Sequence, residues 1–258
     1  MEILGYIGAL FIGLVLGLTG GGGSILTVPI LVYLMSINPV TATAYSLFIV
    51  GTTSTFGAIQ NYRKNLVDIK NGFIFAIPSF IAVYLTRKFI VPRIPEIIIE
   101  SPILITKETF LMLFFAVIMV FGALSVLKKK SQNTNSEEKR NLILIGIQTF
   151  TIGIIIGLVG AGGGFLIIPS LILFAKLPMR KAVGTSLFII AMNSLVGFIG
   201  DVQNLEIDWI FLLTFSAISV VGIFIGMYLT KYTNESQLKK IFAYFVLVMA
   251  AIILLKEM

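Results

Sequence analysis

The chain has 258 residues, of which 57% are hydrophobic and 12% charged, and its mean hydropathy is +1.03. A soluble domain carries about twice that share of charge, so the composition predicts an integral membrane protein. The absence of Cys and His excludes disulfides, Cys/His metal sites and a Ser-His nucleophile pair; no catalytic, metal or cofactor site is expected. We interpret the net charge of +7 as the basic excess of cytoplasmic loops, not as a nucleic-acid surface.

The first half of the chain alternates apolar segments with short polar breaks, which is typical of membrane helices. We predict two apolar arms separated by a glycine-rich break and then three spanning helices, over Ile3–Leu18, Ile25–Met35, Thr41–Ile59, Gly72–Leu85 and Phe110–Leu127. At 1.5 Å per residue the arms measure about 24 and 17 Å, too short to cross a core of about 30 Å. They are expected to be half-helices meeting at the glycines. The sequence over Phe89–Thr109 is expected to lie at the membrane interface.

The second half of the chain repeats the first at a constant shift, the one that takes Gly17 to Gly157. LGLTGGGGSILTVPIL at 16–31 recurs as IGLVGAGGGFLIIPSL at 156–171, and SLFI at 46–49 recurs at 186–189. Chance does not keep one register across both motifs, so we predict two homologous repeats. They cover 1–127 and 141–258, and the hydrophilic segment 128–140 links them.

The distribution of Lys and Arg predicts the side of the membrane that each loop faces. With the linker 128–140 in the cytoplasm, most of the 19 basic residues are cytoplasmic, while the segments 36–41 and 201–208, without Lys or Arg, lie outside. Arg87 is assigned to the outside, and Asp201 to an outer loop. Each repeat then crosses the membrane an odd number of times. The expected fold is an all-α polytopic membrane protein with two inverted repeats, each with a glycine-broken half-helix pair plus three spanning helices.

The glycine runs predict a binding site for a small anion. Consecutive glycines give up side-chain burial, so they persist where backbone geometry or close approach requires them. Half-helix N-termini near the membrane midplane offer free N–H groups and a positive dipole end. We expect Ser24 as an N-cap and Ile25 or Phe165 as the first residue of the second half-helix. The loop residues expected in the site are Gly20, Gly21, Gly22, Gly23, Ser24, Gly160, Ala161, Gly162, Gly163 and Gly164.

Hydroxyl and amide side chains in the helices after the loops are expected to complete this site. Ser46 and Ser186 occupy equivalent positions in the two repeats, as do Thr53 and Asn193. For a single Ser or Thr the more ordinary interpretation is helix packing and local bonding to the backbone. The GxxxG spacings are assigned to packing, and assembly into a homo-oligomer is left open.

The paired G-L-x-G-x-G-G motifs, each followed by a Pro, and the A-x-x-x-S-L-F segments at Ala42 and Ala182 resemble the TauE/SafE family, also called the sulfite exporter family. The likeness covers essentially the whole chain. It implies a secondary transporter in the cytoplasmic membrane that exports small sulfur-containing anions such as sulfite or organosulfonates. The partners implied are that anion and the lipid bilayer. An anion channel and a non-transporting membrane scaffold are the alternatives.

Overall fold

The computed structural model describes residues 2–99, 105–127, 142–203, 205–230, 232 and 235–257. Within these residues it contains ten α-helices and one short two-stranded ribbon. The predicted linker over 128–140, with its cytoplasmic position, lies outside the described residues. The composition therefore predicts the helical class correctly.

The described residues of the first half form five α-helices, and their bounds are close to those predicted. They are α1 (Glu2–Thr19), α2 (Ser24–Pro29), α3 (Pro39–Arg63), α4 (Ile69–Leu85) and α5 (Lys107–Leu127). A π-helical turn at Ile30–Leu34 continues α2, and α4 continues through a π-helical turn at Thr86–Ile90 and a 3₁₀ turn at Val91–Arg93. The strands β1 (Ile97–Ile99) and β2 (Ile105–Thr106) then pair antiparallel.

The second half contains the helices α6 (Leu142–Val159), α7 (Gly164–Leu173), α8 (Met179–Asp201), α9 (Trp209–Leu229) and α10 (Glu235–Glu257). Among the described residues, three helical segments are long and apolar enough to cross a membrane: Ile69–Arg93, Met179–Asp201 and Trp209–Leu229. These segments, with the shorter apolar arms, give the chain the helices of a membrane protein.

The two arms at the first glycine break lie side by side and antiparallel. A Cβ added at Gly5, near the start of α1, would meet the side chain of Met35, and one added at Gly8 would meet Ile30. The start of α1 therefore lies beside the end of the second arm. The arm pair thus ends beside the point at which it began.

The same kind of helix contact occurs twice, at positions that the sequence repeat makes equivalent. Gly13 on α1 packs against the backbone of Ser219 on α9, and Gly153 on α6 packs against the backbone of Ser79 on α4. In each pair a glycine lets one helix backbone rest on another. Adding the repeat shift to Gly13 gives Gly153, and subtracting it from Ser219 gives Ser79, so the two contacts are equivalent.

Two hydrogen bonds between the halves are equivalent under the repeat shift in the same way. The Tyr45 hydroxyl accepts a hydrogen bond from the amide of Asp208 at 2.8 Å, and Thr185 Oγ1 accepts one from the amide of Asp68 at 2.9 Å. Both aspartates also cap helices, since Asp68 accepts from the amide of Asn71 and Asp208 from that of Phe211. Each long central helix is therefore tied to the start of a helix in the other half.

The helices α3 and α8 cross at the centre of the molecule and run antiparallel. This direction follows from glycine contacts that run in opposite order along the two helices: Gly51 with Leu195, Gly57 with Leu187, and Gly197 with Leu47. Both helices are mostly buried. The helices α3 and α8, which occupy equivalent positions in the two halves of the sequence, therefore cross in opposite directions.

We expect Gly13→Ala to destabilise the protein, because the added methyl group would meet the backbone of α9 and force the helices apart. Overpacking of this kind costs about 1–3 kcal/mol. The measurement is thermal unfolding of the purified protein, followed by circular dichroism. Gly146→Ala is the matched control, because its added Cβ meets nothing within 4 Å. Equal unfolding temperatures for the two variants would contradict the contact between α1 and α9.

Candidate functional site

The glycine breaks begin with backbone conformations that favour glycine. Gly20 follows α1 with φ of +76°, and Gly160 follows α6 with φ of +71°. An L side chain is strained in this left-handed region. The two breaks then differ, because Gly162 and Gly163 also have positive φ, whereas Gly23 has φ of −65°. The loops are equivalent in sequence but not identical in conformation.

The two loops meet each other through backbone alone. A Cβ added at Gly21 would lie 2.6 Å from the Cα atom of Gly164, and one added at Gly164 would meet the Cα atom of Gly21. No side chain fits between the two chains at this point. Close approach therefore explains why these two positions hold glycine.

Several amides of these loops have no hydrogen-bond acceptor in the described part of the chain. The amide of Gly22 donates to Thr19 Oγ1 at 2.8 Å, and that of Gly163 donates to the Ala161 carbonyl at 2.7 Å. The amides that donate no hydrogen bond there are those of Gly21, Gly23, Ala161, Gly162 and Gly164. Since more than 90% of buried backbone N–H groups in proteins are paired, these are candidate donors to a bound ligand.

The predicted N-cap at Ser24 is wrong, and both second arms begin one residue earlier than expected. The helix α2 begins at Ser24 and α7 begins at Gly164, so Ile25 and Phe165 are each the second helical residue. Gly23 stands at the cap with helical backbone angles, which already places Ser24 inside the first turn. Its hydroxyl donates back to the Gly21 carbonyl at 2.7 Å.

The predicted polar side chains are all buried, but only some of them contact the loops. Ser186 Oγ donates to the Gly20 carbonyl at 2.6 Å. Asn193 is tied to α4 instead, because its Oδ1 accepts from Ser79 Oγ at 2.8 Å. Ser46 and Thr53 are fully buried, and their hydroxyls have no partner among the residues that the structure describes.

More buried polar groups without a described partner lie on the central helices, beside the predicted ones. They are Ser54 Oγ on α3 and Asn193 Nδ2 and Ser194 Oγ on α8. A Cβ added at Gly162 would lie 3.1 Å from Ser194 Oγ, which places that hydroxyl at the second loop. An unpaired buried polar group costs about 1–3 kcal/mol, so these groups indicate that a polar ligand or water supplies the missing bonds.

A buried ion pair joins the end of α4 to the end of α8, and the sequence did not predict it. Arg87 Nη1 lies 3.2 Å from Asp201 Oδ2, with both side chains almost fully buried, and donates to Thr43 Oγ1 at 3.0 Å. The assignment of Asp201 to an outer loop is wrong, because it is the last residue of α8. Burial of either charge alone is expensive, so each depends on the other.

The guanidinium of Arg87 also lies against the second glycine loop. A Cβ added at Gly160 would lie 2.5 Å from Arg87 Nη2. No sequence signal pairs these two residues, but the shift between the repeats aligns Asp201 with Asn61 and Arg87 with Met227. Asn61 Nδ2 contacts Met227 Sδ at 3.5 Å, so the equivalent positions also meet in space.

A surface groove of about 370 Å³ between α3 and α8 does not hold the predicted site. Its lining includes Ala58, Ile59, Phe188 and Leu195 and carries no charged side chain. Exposed Ile59 lies at its rim. An apolar groove of this kind fits lipid tails better than an anion, so the glycine loops are the stronger candidate.

Comparison with known proteins assigns the family. The family model described as "Sulfite exporter TauE/SafE" matches residues 6–253. A probable membrane transporter protein of Xylella fastidiosa (strain 9a5c) is 26% identical over 246 residues, which cover 93% of this chain and 89% of the relative. The probable membrane transporter protein YdhB of Bacillus subtilis (strain 168) is 28% identical over 229 residues, which cover 86% of each chain. No solved structure matches.

The family match spans nearly the whole chain, and the relatives that cover most of it are named as transporters and not as enzymes. The helices described above agree with a protein that resides in a membrane. The chain therefore belongs to the TauE/SafE sulfite exporter family of membrane transporters.

Proposed function

We propose that this protein exports a small sulfur-containing anion, such as sulfite or an organosulfonate, across the cytoplasmic membrane. The observation that supports this most strongly is the meeting of two glycine loops at Gly21 and Gly164, with unpaired amides in both loops and unpaired hydroxyls on the flanking helices. A monoanion that leaves a cell with a negative interior gains about 2.3 kcal/mol per 100 mV, so export needs no coupling ion.

The anion is held by backbone amides of the loops 20–24 and 160–164. Ser46 and Thr53 donate from α3, and the free Nδ2 of Asn193 donates from α8, because these groups have no partner in the described part of the protein. Ser186 holds the first loop in place through the Gly20 carbonyl. Donors fixed in a site shielded from water bind an anion more strongly than they would in water.

The two repeats, 1–127 and 141–258, are inverted about an axis in the membrane plane, and the linker between them is cytoplasmic. The antiparallel crossing of α3 and α8 and the exchange of glycine contacts support this arrangement. Alternating access follows when one repeat rocks against the other around the fixed site. Direct contact of the loops at Gly21 and Gly164 favours this carrier mechanism over an open channel.

We expect Thr53→Val to reduce sulfite export by about tenfold without lowering stability. The variant keeps the volume of the side chain and removes a buried hydroxyl, so it removes one hydrogen bond to the anion, worth about 1.5 kcal/mol. Because the hydroxyl that is removed has no partner in the described part of the protein, we expect the unfolding temperature of Thr53→Val to equal or exceed that of the wild type. The measurement is efflux of labelled sulfite from proteoliposomes under an inside-negative potential.

Thr149→Val is the matched control for this experiment. Thr149 is also buried, but it lies on α6 and its hydroxyl is satisfied by the Ile145 carbonyl at 2.8 Å. Its variant should keep wild-type efflux. No protein-dependent sulfite efflux in the wild type would refute sulfite as the substrate, and efflux that does not saturate would identify a channel. Equal efflux in Thr53→Val and the wild type would remove Thr53 from the site.

The inverted arrangement predicts the labelling of single cysteines by an impermeant thiol reagent in intact cells. Because the chain has no Cys, the labelling of each variant reports only on the introduced thiol. Ser36→Cys and Gln203→Cys should react from outside, and Asn65→Cys and Arg180→Cys only after the membrane is opened. All four residues are exposed. Labelling of Arg180→Cys from outside would contradict the inversion.

A further inference from the structure

We infer that Arg87 is the cationic residue that binds the transported anion, and that Asp201 is the counter-ion that neutralises Arg87 when no anion is present. This inference rests on the proposed anion transport and names a charged group within the same site. It specifies the ligand class as an oxyanion that offers two oxygens to one guanidinium group, as sulfite and sulfonates do.

The guanidinium has an unused edge. Arg87 is fully buried, its Nη1 donates to Thr43 Oγ1, and its Nε and Nη2 have no hydrogen-bond partner within the described residues. Asp201 approaches through Nη1 at 3.2 Å, and its Oδ2 accepts no hydrogen bond there. The carboxylate therefore balances the charge but does not occupy the fork. A guanidinium fork with two free nitrogens matches two oxygens of an oxyanion.

The free edge lies at the second glycine loop. Nη2 is, with atoms of Thr43, among those that a Cβ at Gly160 would meet, so the guanidinium and the loop backbone are neighbours. The hydroxyl of Ser46 is unpaired, whereas the equivalent hydroxyl of Ser186 donates to the Gly20 carbonyl. Compared with the first loop, the second therefore has a positive charge beside it, and Ser46, the residue equivalent to Ser186, keeps an unused donor.

The fold does not need an ion pair at this position. In the other half, the equivalent residues Asn61 and Met227 form a neutral contact between the same kinds of helix ends. Exchanging a buried ion pair for neutral residues of similar volume is often neutral or stabilising. Stability therefore does not explain the charge at Arg87, whereas binding of an anionic ligand does.

The test compares the wild type with Asp201→Asn and with the double variant Arg87→Met/Asp201→Asn. The double variant reproduces the neutral pair that the protein already has at Asn61 and Met227, so it should fold. The full chain is purified in detergent, and its unfolding temperature is measured with increasing sulfite, methanesulfonate or sulfate, and with chloride at matched ionic strength. Efflux of labelled sulfite from proteoliposomes is measured in parallel.

We expect an oxyanion to raise the unfolding temperature of the wild type and to have no effect on the double variant. In Asp201→Asn the oxyanion should bind about tenfold more tightly, because no carboxylate neutralises Arg87 or repels the anion; tenfold corresponds to about 1.4 kcal/mol. Sulfite efflux should be lost in the double variant. Chloride, which cannot bridge two nitrogens of the fork with two oxygens, should stabilise none of the three proteins specifically.

The role of Arg87 is overturned if an oxyanion stabilises the wild type and the double variant equally. It is also overturned if the oxyanion stabilises neither the wild type nor Asp201→Asn. Wild-type efflux in a folded double variant overturns it as well, while the proposed export stands. Stabilisation that depends on Arg87, combined with no efflux from the wild type, has the opposite meaning. The anion site is then correct and the export function is wrong.

Discussion

Close approach of helix backbones at glycine is the constraint on which this structure depends. Gly13 and Gly153 let α1 rest on α9 and α6 rest on α4, and Gly21 and Gly164 let the two loops touch. Lipid tails are as apolar as Leu side chains, so helices in a bilayer associate through tight packing and hydrogen bonds and not through the hydrophobic effect. Small residues at these crossings therefore determine which helices are neighbours, and the neighbours determine where the loops lie.

The position of the loops explains how polar groups are present inside such an apolar chain. Irregular backbone is tolerated at membrane depth only where protein surrounds it or where it lines a cavity. Here α3 and α8 surround the loops and carry the unpaired hydroxyls of Ser46, Thr53 and Ser194. The same shielding that makes an unpaired donor costly makes its bond to an anion strong. Packing and the proposed anion binding thus depend on one arrangement of backbone.

The two halves share this frame but differ in charge. The second loop lies beside Arg87, which pairs with Asp201, whereas the equivalent residues in the other half, Met227 and Asn61, are neutral. An internal repeat duplicates the fold, and substitution can then give one copy a function that the other lacks. A single buried cation is sufficient for the single anion that we propose, and a second would leave an uncompensated buried charge.

The sequence alone determined the helical membrane class, the constant shift between its two glycine-rich motifs and the glycine breaks, because these depend on composition, apolar length and self-similarity along the chain. It also identified loop residues that the structure brings together. The tertiary structure decided that Asp201 is buried with Arg87, that Asn193 bonds to Ser79, and that Ser24 lies within its helix. The pairs of Arg87 with Asp201 and of Asn193 with Ser79 join residues 114 apart along the chain. No local pattern encodes such a contact, because only the packing of the two halves brings the side chains within bonding distance.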